Sequence, residues 1–92
     1  MNAKYVAFWS KVYKKSNEKT EKRRLKTYFK KRVKYAMREG KTFVRIFIEK
    51  GDSYWKYVPE AANWLIKKGF KCSFEINERL DYDYDVTIEW EN

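Results

Sequence analysis

The hydrophobic period of this chain changes at Gly40, and that change restricts it to folds that combine helix and sheet. Before Gly40, Leu25, Phe29, Val33 and Ala36 recur at the spacing of one helix face. After it, Thr42–Lys50 alternates with a period of two, placing Val44, Ile46 and Ile48 on one side and Phe43, Arg45, Phe47 and Glu49 on the other. The glycine itself is a stop signal, because it supplies the left-handed turn that ends a helix, with Arg38 near the negative helix end. Ser16 or Asn17 reads as the matching start, with Glu18 and Glu21 beside the positive end. A helix over 17–39 is therefore expected.

The polar side of that helix carries Lys19, Arg23, Lys26, Lys30, Lys34 and Arg38, with Arg24 and Lys31 each one turn from a tyrosine, Tyr28 and Tyr35. From Lys11 to Lys34 twelve Lys/Arg stand against two Glu. Most charged helix faces are simply solvated. Here, however, like charges one turn apart cost about 0.2–0.5 kcal/mol per pair, and a helix shaped by stability alone would mix the signs. The cost points to an anionic partner, most simply phosphate.

The rest of the chain completes an α+β two-layer sandwich. Residues 3–15 read as a short helix with Tyr5, Phe8, Trp9, Val12 and Tyr13 on one side, forming an extension (1–16) that packs on the domain or on a partner. Its apolar side is out of phase with the main helix, so a break is placed at Ser16–Asn17; a single bent helix is the alternative. Residues 54–58 fit either a short strand or a helix start. Pro59 restricts Val58 to extended geometry and opens a helix over 59–68, with Ala61, Ala62, Leu65 and Ile66 buried and Trp64 at the edge. Strands over 70–77 and 82–90 form a hairpin. Strand 42–49 and strand 70–77 flank a helix and so run the same way. The expected sheet is small, twisted and mixed, with the last strand in the middle.

Ninety-two residues read as one domain, 1–92. The net charge of +9 is polarised, at +13 over residues 1–50 and −4 over 51–92. One cysteine fits a reducing compartment, and no secretory or membrane-spanning stretch is visible, so a cytoplasmic protein without membrane contact is expected. Histidine is absent, which removes the commonest acid/base group and metal ligand.

Four candidate features follow. The nucleic-acid reading rests on Lys19, Arg23, Arg24, Lys26, Tyr28, Lys30, Lys31, Lys34 and Arg38, because cations interleaved with tyrosine suit phosphate contact and base stacking. Phe43, Arg45 and Phe47, with Trp9, form a candidate interface: either covered by the first helix or a second subunit, or stacking bases as single-strand-binding sheets do. Asp81, Asp83 and Asp85 share one strand face, but the calcium-loop pattern fails at Val86 and Asn92, and the run reads instead as an acidic guard on a hairpin edge. Cys72 alternates inward and reads as a small core residue. No phosphate-cradling glycine motif or paired-cysteine metal motif is present, so no catalytic residue, metal or cofactor is expected.

The stretches AMREGKTFVRIFIE, NWLIKKGFKCSFEI and DVTIEW resemble a loose class of small accessory proteins from phages and prophages of Gram-positive bacteria, over roughly residues 25–90. The resemblance implies a protein that binds host or viral macromolecules as a regulator, a host-takeover factor or an inhibitor of bacterial defence. The expected function is a non-enzymatic binding protein whose basic helix contacts nucleic acid or a nucleoprotein, as monomer or homodimer. The alternative is an anti-CRISPR-like inhibitor of a host defence protein, acting by protein–protein contact. There the Phe43/Phe47 face or the first helix would anchor the contact, and charge would steer encounter.

Overall fold

The computed structural model describes residues 3–90, with side chains from residue 17 onward. The elements are α1 (Ala3–Arg38), β1 (Phe43–Ile48), a single 3₁₀ turn (Trp55–Tyr57), α2 (Val58–Lys67), β2 (Lys71–Asn77), a second 3₁₀ turn (Glu78–Leu80) and β3 (Asp83–Glu89). They make an α+β sandwich of two helices on one face of an open three-stranded sheet.

The first departure from the sequence reading is α1, one continuous helix of 36 residues with no break at Ser16–Asn17. Ser and Asn inside a helix cost well under ~1 kcal/mol each. Stopping there would instead leave a fresh set of carbonyl and N–H groups without partners. At 1.5 Å per residue the helix is about 54 Å long, and it sets the 57 Å long axis of the molecule. The expected apolar side of residues 3–15, Trp9 included, lies outside the described side chains.

Gly40 ends α1 as expected. It sits at φ +81, and Gly40 N–H and Lys41 N–H donate to the Met37 and Ala36 carbonyls, both at 3.0 Å. Gly69, at φ +96, closes α2 the same way, with Phe70 N–H donating to the Leu65 carbonyl at 3.1 Å. Val58 corrects the reading of Pro59: it is helical (φ −56, ψ −47) and begins α2. Its side chain is fully buried, and that burial outweighs the mild penalty on a helical residue before proline. The segment before it is neither strand nor α-helix but the 3₁₀ turn Trp55–Tyr57.

The strand order is β1-β3-β2, with the last strand in the centre as predicted. Both ladders are antiparallel, so the sheet is not mixed. β1 and β2 do run the same way, but β3 is inserted between them and no parallel pair is hydrogen-bonded. The core joins Leu25, Phe29, Val33 and Ala36 of α1 to Val58, Ala61 and Leu65 of α2, and to Val44, Ile46, Ile48, Tyr84, Val86 and Ile88 of the sheet. Ile66, expected inside, is about half exposed. The buried stripe of α2 is Val58, Ala61, Ala62 and Leu65, and Ile66 lies one residue beyond it.

Phe74 and Ile76 are opposite Val86 and Tyr84 on the helix-side face, yet both are exposed. β2 is an edge strand: the core covers its Phe70 and Cys72 end, and Phe74 meets it through an edge-on contact with the Tyr84 ring, centroids 5.7 Å apart. Burial pushes the Cys72 thiol up to about 11, so it carries little thiolate at neutral pH. The acidic run does not guard an edge, because Asp83 and Asp85 belong to the central strand and Asp81 stands in the turn at φ 55. Asp83 accepts from Lys50 N–H at 3.0 Å, and Asp85 takes the Arg45 guanidinium in a two-point ion pair, Nε to Oδ1 at 3.0 Å.

That pair makes stability depend on pH with a definite sign. The hydrogen bond from Arg45 holds the Asp85 carboxyl below its ordinary value, with burial opposing in part. A folded pKa below the unfolded one stabilises the fold at all pH above the unfolded value, about 3.9, and the gain is lost as pH falls through the folded one. Asp85→Asn should therefore be less stable than the parent at pH 7 in urea denaturation. The gap should close as pH is lowered below 4.

Candidate nucleic-acid interface

From Asn17 to Arg38 the arc that α1 buries is narrow, so most of the circumference of that stretch faces outward with its cations. Lys19, Arg23, Arg24, Lys30, Lys31, Arg32, Lys34 and Arg38 are exposed, and Lys26 is half-buried. Of the cations from Lys19 to Arg38, two are ion-paired among the described residues: Lys22 with Glu60 at 3.3 Å and Arg24 with Glu21 at 3.0 Å. Among the described residues the others have no carboxylate within ion-pair distance, and this row is the main electrostatic feature of the described surface.

Aromatic side chains stand on both flanks of the row. On one flank Tyr28 stacks on Tyr54, with ring centroids 6.4 Å apart and planes at 30°. Arg23, Arg24, Thr27 and Lys31 join them around an open groove of roughly 340 Å³. Glu21 organises this corner. One carboxylate oxygen takes Arg24, and the other accepts the Ser53 hydroxyl, which ties the loop before Tyr54 to the helix. Burial raises the Tyr54 phenol, with Asp52 and Tyr28 adding to the shift and Arg24 opposing it. Tyr54 therefore stays a neutral hydrogen-bond donor over the physiological range.

On the other flank, α2 places Trp64 against α1. The ammonium groups of Lys26, Lys30 and Lys68 lie 5.4, 5.2 and 5.1 Å from its ring centroid. One turn further toward the start of α1, Lys22 and Lys56 sit 5.5 and 5.3 Å from the Tyr57 ring.

The open face of the sheet has a different character. Phe43 and Phe47 are 52% and 55% exposed there, so the described residues leave them uncovered. Arg45 lies over Phe47 at 5.5 Å and is held by Asp85. By register this face carries Arg45 and Lys71 against Glu75, Asp83, Asp85 and Glu89. An acidic face repels a polyanion, which weighs against base stacking on Phe43 and Phe47 and in favour of protein contact.

The structure thus keeps the predicted cations on one helix but divides them. Arg23, Arg24, Lys31 and Tyr28 line the groove, Lys26 and Lys30 turn to Trp64, and Lys19, Lys34 and Arg38 project without a cluster. Sequence reasoning missed Tyr54, Trp64 and Lys68. Trp64 was visible only as an edge residue of α2, and nothing local announces that two lysines of α1 meet it. Tyr54 sits after a Gly-Asp turn and had no helical or strand pattern to place it. Comparison with protein-family models, curated proteins and solved structures finds no match. Among the described residues no helix is long and apolar enough to cross a membrane.

Proposed function

We propose that this chain is a non-enzymatic binding protein whose α1 face engages the phosphates of a nucleic acid or nucleoprotein. The observation that carries the reading is the row of exposed cations without carboxylate partners, flanked by Tyr28, Tyr54 and Trp64. Unpaired like charges stacked one turn apart are a standing cost that an anion relieves. In the setting implied by the phage resemblance, such a protein acts as a regulator or host-takeover factor.

The test is titration into labelled single- and double-stranded DNA and RNA by anisotropy, at several salt concentrations. Affinity should fall linearly in log–log form, with a slope of about −0.7 per neutralised phosphate for single strands and about −0.9 for duplex. A protein with no affinity for any polynucleotide at low salt overturns the reading.

A second reading has its own support in the exposed Phe43 and Phe47 on an acidic face. It is an inhibitor of a host defence protein that docks through this face. Charge on α1 would then steer the encounter without forming the contact.

A further inference from the structure

We infer that Trp64, with Lys26, Lys30 and Lys68, forms a subsite for an unpaired base of single-stranded nucleic acid. This inference rests on the nucleic-acid reading of α1 and adds to it the kind of strand bound.

The geometry is unusual for a stabilising contact. Three ammonium groups from two elements lie 5.1 to 5.4 Å from one indole centroid. They are therefore no further apart than about 11 Å, comparable to the ~10 Å screening length at 0.1 M salt, so they repel one another. No carboxylate among the described residues is within ion-pair distance of any of them. The nearby acid, Glu60, is already paired with Lys22. One indole ring does not need three cations to be covered, and a helix that wanted only packing would place an acid here.

The arrangement suits a ligand that is both flat and flanked by phosphates. A base stacked on the half-buried indole displaces flexible lysine side chains from the ring, and their ammonium groups move to the phosphates on either side. Lys68 comes from a fixed position, the residue between the end of α2 and the left-handed Gly69. A duplex satisfies only half of this site, since its bases are already stacked and paired and cannot reach the indole. Inorganic phosphate leaves the indole unused. Tyr28 lies two residues after Lys26, on the opposite flank of α1 with Tyr54. A single strand crossing the helix thus meets cations along the crest and an aromatic platform on each side.

The test uses the full chain, labelled oligo(dT) and a DNA duplex of equal length, with Trp64→Leu, Trp64→Phe and Lys68→Gln. Trp64→Leu should weaken single-strand binding roughly 5- to 150-fold, the range for losing one stacked base, and leave duplex binding and both salt slopes unchanged. Trp64→Phe should keep most of the affinity. Lys68→Gln, at an exposed position that does not support the core, should reduce the single-strand salt slope by about 0.7. Equal losses for strand and duplex with Trp64→Leu, or no change in single-strand binding with Trp64→Leu or in single-strand slope with Lys68→Gln, overturn the inference while leaving α1 as the phosphate-binding face. A parent protein that binds no polynucleotide overturns the underlying reading instead.

Discussion

Reversing three charges on α1, as Lys26→Glu/Lys30→Glu/Lys34→Glu, should reduce polynucleotide affinity by roughly 100-fold or more at 50 mM salt while the protein stays folded. Each lysine that contacts a phosphate contributes about 0.7–0.9 to the salt slope, so the slope should flatten by about 2–3. Folding should be little affected for two opposed reasons. Among the described residues none of the three is ion-paired, and although the three Glu repel one another as the lysines did, their pairs with Lys22, Arg23, Lys31 and Arg38 turn from repulsive to attractive, worth about 0.2–0.5 kcal/mol per pair. Lys26 and Lys30 also give up their contacts with the Trp64 ring, worth about 0.5–1 kcal/mol each at exposed positions. Thermal melting should therefore shift by a few degrees at most, while anisotropy reports a large loss. The same variant separates the two functional readings. If the protein acts by docking its Phe43/Phe47 face on another protein, reversal slows association but leaves the dissociation rate nearly unchanged.

The second large effect concerns the fold. Phe29→Ala should destabilise the domain by about 3–5 kcal/mol, measured by urea denaturation with an unchanged m-value. Phe29 is fully buried and is the largest fully buried side chain among the described residues. It belongs to the buried cluster that joins α1 to α2 and the sheet. The cavity cannot collapse easily, because Leu25 and Val33 lie one turn away on the same rigid helix and the strand residues of the same cluster are fixed by their ladders. Domains of this size have about 5–15 kcal/mol of stability in total, so one substitution removes a large part of it. A loss below ~1 kcal/mol would mean that α1 is held mainly by something other than its Leu25–Ala36 stripe.

Those two variants also mark where sequence and structure divide the information. The stripe of Leu25, Phe29, Val33 and Ala36, the alternation of Val44, Ile46 and Ile48, the stop at Gly40 and the central place of the last strand were legible in the chain. Each depends on local periodicity, on a residue's own backbone preference, or on how short connections join neighbours. Local signals failed where two of them competed. Ser16 and Asn17 resemble a cap but stay inside α1, and Val58 before Pro59 is helical because burying it outweighs a small backbone preference.

The candidate site was only half legible. Its cations are a property of composition and were plain, but their aromatic partners come from far along the chain. Tyr54 reaches Tyr28, and Trp64 with Lys68 reaches Lys26 and Lys30. The sequence by itself determined which faces are apolar and which are charged. Only the tertiary structure decided which charged face meets which ring, and which apolar residues, such as Phe74 and Ile76, are left uncovered at an edge. The physical reason is that facing is set by a residue's own period, while contact is set by where a second element comes to lie, and that depends on the packing of the whole core.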